Sequence, residues 1–396
     1  MKTGKNFAKL EEELLEWRRS LHRVAETGFA LPKTTAYIEN ELKKMGYAPK
    51  KIGKGSIFAE VGEGEIFLLR ADMDALSMVE KTGLPFSCKT GNMHACGHDL
   101  HASMLLGAAK LLKNCEKELS CRVRLLFQGA EEILEGAKDV IKAGGMSEVK
   151  GAMTVHVMTD VDLPAGTIVV ANGVSAPCAD FFTIEVKGKS CHGATPWKGV
   201  DVLSASAHIL VALEEISARE LNPATPTLLT IGSMHGGEAG NVIAESVEMK
   251  GTLRSMDEDV RAEVKKRMEE IVKNVAKAFR ATAKVKYKGG CPTLVNDENL
   301  SMLAKRAAKS LFGADMVWGM DELSQGVQRE MGGSEDFAYF SHEAPSIICA
   351  VAAGERKKGY VYPLHHPKVD FDEGALVVGA RLFSHMALSW RGNSKG

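Results

Sequence analysis

The chain has 396 residues, of which 45% are hydrophobic and 26% charged, and a formal net charge of −1. Such a length exceeds one ordinary core and predicts two domains. The balanced charge, with no basic face, excludes nucleic acid as an expected partner, and no apolar run reaches the roughly 18 residues of a membrane span.

The opening stretch FAKLEEELLEWRRSLHRVAE carries Leu10, Leu14, Trp17 and Leu21 at helical spacing. It is charged and amphipathic and lacks the continuous apolar core of a signal peptide, so the expected compartment is the cytoplasm. KTTAYIENELKKMGY reads as a second helix that closes on Gly46. SIFAEV and EIFLLRADMD read as strands joined by the turn GEGE. A helix over 99–113 follows, then the buried strand RVRLLFQ, the helix GAKDVIKAGG stopped by glycines, and the strand GAMTVHV. Strands alternating with helices predict an α/β domain with a mostly parallel sheet.

Near Ala179 the texture changes. FFTIEVKGKS alternates like a half-exposed strand, followed by a helix over 200–218, the strands TLLTIGSMHGG and SVEMKGTLRS, a helix over 257–280 and the strand ATAKVKYKGG. That β-α-β-β-α-β order is ferredoxin-like. It predicts an inserted α+β domain over 180–291 within a larger domain formed by 1–179 and 292–396. The larger domain resumes with a helix over 297–312, the strand SIICAVAAG and a final helix over 373–389. The eight cysteines contain no CxxC pair, so most are expected to be reduced and simply buried.

Metal-capable residues gather at the predicted ends of strands. In GNMHACGHDLH, Cys96 and His98 are one residue apart at a helix start, and thiolate with imidazole suits zinc or a similar metal. His94 and His101 are by default supporting or structural, and Asp99 either caps the helix or holds a ligand histidine. Glu131 and Glu132 follow a buried strand. Adjacent carboxylates there can divide the work, one binding metal and one accepting a proton from the attacking water. His156 ends the strand GAMTVHV, and either His365 or His366 in PLHHP is a candidate final ligand. Asp72, at the end of LLRADMD, is assigned to orienting a ligand histidine. Five ligands with one shared suit two metals about 3.5–4 Å apart.

Together these motifs resemble the M20 metallopeptidase and amidohydrolase family in its aminoacylase-like branch, which includes hippurate, auxin-conjugate and N-acetyl-diaminopimelate hydrolases. The resemblance rests on LLRADMDAL, MHACGHDLHASMLLGAAKLL, FQGAEE, HVMTDVDLPAGTI, GKSCHGATPWKGVD, GNVIAESVEMKGTLRS, GSEDFAYF and PLHHPKVDFDE. It implies a zinc-peptidase-like catalytic domain and two divalent metal ions, with zinc, manganese, cobalt and nickel all open. Cys96, His98, Glu132, His156 and His365 are implied ligands, Glu131 the general base, and Asp72 and Asp99 supporting residues. The inserted domain is implied to be a lid and the contact of a homodimer, with His192 reaching a substrate oxygen and Asn241 contacting substrate. The substrate expected is a small N-acyl amino acid. A dipeptidase or aminopeptidase on the same site, or an inactive binding protein of the same fold, stands as the alternative. Four positions depart from the family pattern, where proline is usual: Ala25, Ser77, Gly129 and Ala244.

Overall fold

A computed structural model describes residues 4–323 and 332–392. The chain divides into two compact units. The first takes the described residues of Met1–Ser175, Val295–Arg329 and Asp336–Gly396, and the second those of Ala176–Leu294 and Glu330–Glu335. The second unit therefore includes Gly332–Glu335, which the sequence reading left with the larger domain. The reason is local: Ser334 Oγ accepts from Arg254 Nη1 at 3.0 Å and donates to the Pro177 carbonyl at 3.1 Å.

The first unit is built on an eight-stranded sheet. In spatial order its strands are Lys50–Ile52, Ser56–Val61, Arg122–Gln128, Ile66–Asp72, Val149–Met158, Ser346–Ala352, Ile168–Val170 and Val317–Gly319. The four central strands, Arg122–Gln128 to Ser346–Ala352, run parallel. Antiparallel pairing is confined to Lys50–Ile52 with Ser56–Val61, Ser56–Val61 with Arg122–Gln128, and Ile168–Val170 with Ser346–Ala352. The short strands at 50–52, 168–170 and 317–319 carry too few residues for an alternation to be read from sequence.

Register decides what the sheet presents. Asp72 lies opposite Gln128, and Arg70 opposite Thr154, so Asp72, Gln128 and His156 end at one level. The carboxyl ends of parallel strands open onto a single edge, the usual place for a site in an open α/β sheet.

Behind that edge runs the helix His98–Asn114. Leu100, Ala102, Met104, Leu105, Leu106, Ala108, Ala109 and Leu112 are all buried, as expected of a helix apolar on every side. It packs on the N-terminal helix Gly4–Val24 and the C-terminal helix Ala375–Ser389. The approach depends on Gly107, where a Cβ would come within 2.8 Å of both Ala380 Cβ and Leu14 Cδ2. The stripe Leu10, Leu14, Trp17 and Leu21 is buried in this same core.

The second unit has a four-stranded antiparallel sheet ordered Thr227–Gly236, Ser246–Ser255, Cys178–Lys187, Thr282–Cys291. Helices Val202–Glu215 and Glu258–Ala278 cover one face of it. Each starts at an aspartate that accepts two backbone N–H groups, Asp201 from Leu203 and Ser204, and Asp257 from Asp259 and Val260. Phe182, Ile184, Ile209, Leu213, Met249 and Met268 belong to its separate core. Among the described residues no helix is long and apolar enough to cross a membrane. All eight cysteines are free thiols.

Candidate metal centre

The segment Cys96–Gly97–His98 turns sharply into the supporting helix. Gly97 is left-handed at φ 84°, and a Cβ there would fall 2.4 Å from Val157 Cγ2. Glycine alone fits both demands, and the turn brings Cys96 and His98 to the strand ends. Because the helix begins at His98, His94 and His98 do not form a pair on one helical face.

The five residues predicted as ligands lie together within the first unit. Cys96, His98 and His156 form one group with ligand atoms within 4.8 Å of one another, and Cys96, Glu132 and His365 form another. Cys96 Sγ is 3.6 Å from His156 Nε2, and His365 Nε2 is 3.6 Å from Glu132 Oε2. His98 Nε2 stands 3.9 Å from Glu132 Oε1 and 4.0 Å from Glu131 Oε2.

Hydrogen bonds identify the nitrogens that are free to ligate. His156 Nδ1 donates to the Val157 carbonyl at 2.6 Å, which leaves a lone pair on Nε2, the atom facing Cys96. Burial lowers the pKa of this imidazole to about 4, which keeps it neutral. His101 is different: Val157 N–H donates to its Nε2 at 2.9 Å, and its Nδ1 donates to Asp72 Oδ1 at 2.6 Å. With both nitrogens engaged, His101 has no lone pair to offer and acts as a strut.

His98 is fully buried, and its nitrogens have no hydrogen-bond partner among the protein atoms. Its Nδ1 lies 3.5 Å from Asp74 Oδ1 and its Nε2 3.8 Å from Asp72 Oδ2. Burial disfavours its charged form, yet the carboxylate of Asp72 outweighs that and raises its pKa well above the usual value. Burial also pushes the Cys96 thiol far up. A buried, orphaned imidazole beside a thiol and two carboxylates is a donor set that a divalent cation satisfies, so the residues fit the metals expected. The same burial weighs against Cys96 as a nucleophile, since the thiolate is the reactive form.

The loops are held under local strain. Ala130 and His365 are left-handed at φ 63° and 64°, a conformation that costs non-glycine residues of order 1–3 kcal/mol and clusters at functional sites. His365 is anchored by its N–H to the Ala95 carbonyl at 2.9 Å. His366 stacks on Tyr362 instead, and His94 is buried outside these groups.

Two supporting assignments need correction. Asp72 orients His101, which is not a free ligand, rather than making a hydrogen bond to His98. The carboxylate 3.5 Å from His98 Nδ1 is that of Asp74, which also accepts the backbone N–H groups of Glu131 at 3.1 Å and Glu132 at 3.3 Å. Asp99 neither caps the helix, whose N-cap is Gly97, nor holds a ligand histidine. It accepts from Arg18 Nε at 3.1 Å and from His22 Nδ1 at 2.8 Å. Successive helical residues point in different directions, so Asp99 faces the N-terminal helix while His98 faces the site.

His22 is thereby clamped between Asp99 and Glu80, with Nε2 3.1 Å from Glu80 Oε2. Burial lowers its pKa, but Asp99 and Glu80 prevail and raise it to about 9. A histidine raised from an unfolded value near 6.5 contributes stability that is fully present below that value and lost as pH climbs through the folded one. The expected result is a melting temperature that falls between about pH 6.5 and 9, with a smaller fall in His22→Gln. Parallel slopes for the two proteins would remove this role.

The other proposed residues lie in the second unit. His192 and Asn241 are neighbours there: His192 pairs with Val242 across a two-stranded ladder, and Gly193 N–H donates to the Asn241 carbonyl at 2.7 Å. Both are exposed. Ala194 N–H donates to His192 Nδ1 at 3.1 Å, so the neutral ring carries its proton on Nε2. Of the departures from proline, Gly129 has a visible consequence, because its N–H donates to Ser56 Oγ at 3.3 Å, a bond proline lacks. Ala25 and Ala244 are buried and Ser77 is exposed.

Comparison with known proteins gives a consistent result. The family described as Peptidase family M20/M25/M40 matches residues 68–389. The N-acetyl-L-cysteine deacetylase of Bacillus subtilis is 35% identical over 377 residues, 94% of this chain and 86% of its own. The IAA-amino acid hydrolase ILR1-like 4 of Arabidopsis thaliana is 33% identical, covering 93% of this chain and 84% of its own. A solved Bacillus subtilis structure, described as a dinuclear metal binding peptidase from the M20 family, superposes with a TM-score of 0.80 at 30% identity, covering 96% of this chain and 98% of that one.

Proposed function

This chain belongs to peptidase family M20/M25/M40 and is a metal-dependent hydrolase of amide bonds, and from that premise we propose that it releases an amino acid from a small N-acyl amino acid. The observation that carries the reading is the meeting of Cys96, His98, Glu132, His156 and His365 beside the carboxylate of Glu131.

Those five residues would hold two divalent cations. Cys96 is common to the two groups that between them hold all five residues, the position a shared ligand takes. When bound, the cations supply Lewis acidity that polarises the amide carbonyl and makes water nucleophilic near neutral pH. Glu131 accepts the proton of the attacking water and passes it to the leaving nitrogen. His192, with its proton on Nε2, is the donor to the developing oxyanion, in the site of its own chain or of the partner subunit. Asn241 is a substrate contact. A homodimer through the second unit stays part of this reading, with the outer edge of Thr227–Gly236 as its pairing surface; a monomer by light scattering at micromolar concentration would remove it.

The test is a hydrolysis screen. Apo-protein is reloaded with zinc, manganese, cobalt or nickel and offered N-acetyl and N-benzoyl amino acids beside dipeptides. Turnover of the N-acyl compounds, abolished by chelator and restored by metal, is the expected result. Dipeptides preferred over every N-acyl compound would favour the peptidase reading, which the description of the B. subtilis neighbour keeps open. No turnover with any metal would leave a binding protein of the same fold.

A further inference from the structure

The carboxylate of Glu131 must be aimed as well as present. Its backbone is tied to Asp74, but its side chain receives a donor from a distant segment. The main-chain N–H of Asp336, 205 residues away in sequence, lies 3.3 Å from Glu131 Oε1. Asp336 itself is completely buried. Its Oδ1 accepts from Arg70 Nη2 at 2.7 Å and Gln128 Nε2 at 2.9 Å, and its Oδ2 accepts from Gln128 Nε2 at 2.8 Å and Ala137 N–H at 2.8 Å. Arg70, also fully buried, reaches the other way to Asp72 Oδ2 at 2.6 Å and Gln128 Oε1 at 3.1 Å.

We propose that Asp336 is a positioning residue for Glu131. Its carboxylate, gripped by Arg70, Gln128 and the Ala137 amide, fixes its own N–H against Glu131 Oε1. That leaves Oε2, 4.0 Å from His98 Nε2, as the oxygen facing the ligand cluster. Arg70 and Gln128 stand on the two adjacent strands that end at the site, so the sheet is the rigid frame of the grip. A buried Arg–Asp pair is a weak source of stability, because desolvation offsets most of its attraction. Orientation of a reacting group is the use that fits its place here, since small misplacements of such groups cost large factors in rate. The inference rests on the reading of Glu131 as proton acceptor.

The experiment compares Asp336→Asn with the wild type as full-length, metal-loaded protein on an N-acyl amino acid. The expected result is a kcat lower by about tenfold or more, with KM nearly unchanged and metal content intact. The decisive step repeats the change in a Glu131→Gln background, where it should lower the residual kcat no further, because residues that act as a unit are not additive. An equal fall in both backgrounds, loss of metal, or an unchanged kcat would each overturn the inference. Should Asp336→Asn fail to fold, Arg70→Lys keeps the charge but loses the fork that spans Asp336 and Asp72, and the same comparison decides. If Glu131→Gln alone kept full turnover, the reading of Glu131 would fail first, and that result is distinct from an unaffected Asp336→Asn.

Discussion

Replacing Glu131 by glutamine should leave a folded, metal-loaded protein whose kcat is lower by about 10²–10⁴-fold. The substitution is nearly isosteric, and Glu131 is not one of the five residues assigned to holding metal. Its backbone N–H bond to Asp74 and the chain path through left-handed Ala130 do not depend on the side chain. What glutamine lacks is a basic oxygen. With Oε1 facing the Asp336 N–H and Oε2 facing His98, the buried carboxylate is presented to the ligand cluster. Steady-state kinetics, elemental analysis for metal and a thermal melt check the three parts of this expectation. A variant retaining wild-type kcat would end the assignment.

The second large effect concerns the cations. Cys96 is common to the two groups that between them hold all five proposed ligands, whereas His365 belongs to one. Cys96→Ala is therefore expected to retain almost no metal after dialysis, and His365→Ala to retain about half the wild-type content, with both nearly inactive. Full loading of Cys96→Ala would contradict the shared sulfur. The pH dependence has a definite sign. Burial holds the Cys96 thiol protonated, while the Asp72 carboxylate holds His98 protonated against its burial. Both protons must leave before a cation is ligated, so affinity should strengthen as pH rises, and loading of apo-protein should release protons. Titration calorimetry in buffers of different ionisation enthalpy measures that release. Uptake of protons, or none, would show that the thiol and imidazole are not the groups displaced.

The helices and central strands were legible because each has a long periodic pattern. The continuous apolar run after His98 marked a buried helix, and the stripe from Leu10 to Leu21 an amphipathic one. The β-α-β-β-α-β order likewise follows from alternation and length, and the second unit's sheet takes the ferredoxin-like strand arrangement. The three-residue strands were not legible, since pairing with neighbours, not local pattern, makes them strands.

The site divides the same way. Residue chemistry and placement at strand ends named the candidates, and the family resemblance chose Glu132 and His365 among them; candidates on separate strands meet because in a parallel sheet the carboxyl ends share an edge. The sequence by itself thus determined the long elements, the two-unit organisation and the inventory of metal-capable side chains. Which of those side chains support and which ligate was decided only by the tertiary structure. Asp72 and Asp74 look alike in sequence, yet one grips His101 and the other faces His98 and both glutamate amides. His101 is removed from the ligands by a backbone N–H on a neighbouring strand, and Asp336 is brought to Glu131 across 205 residues. Hydrogen-bond direction depends on where a side chain's partners arrive from, and partners so far apart along the chain leave no local period to read.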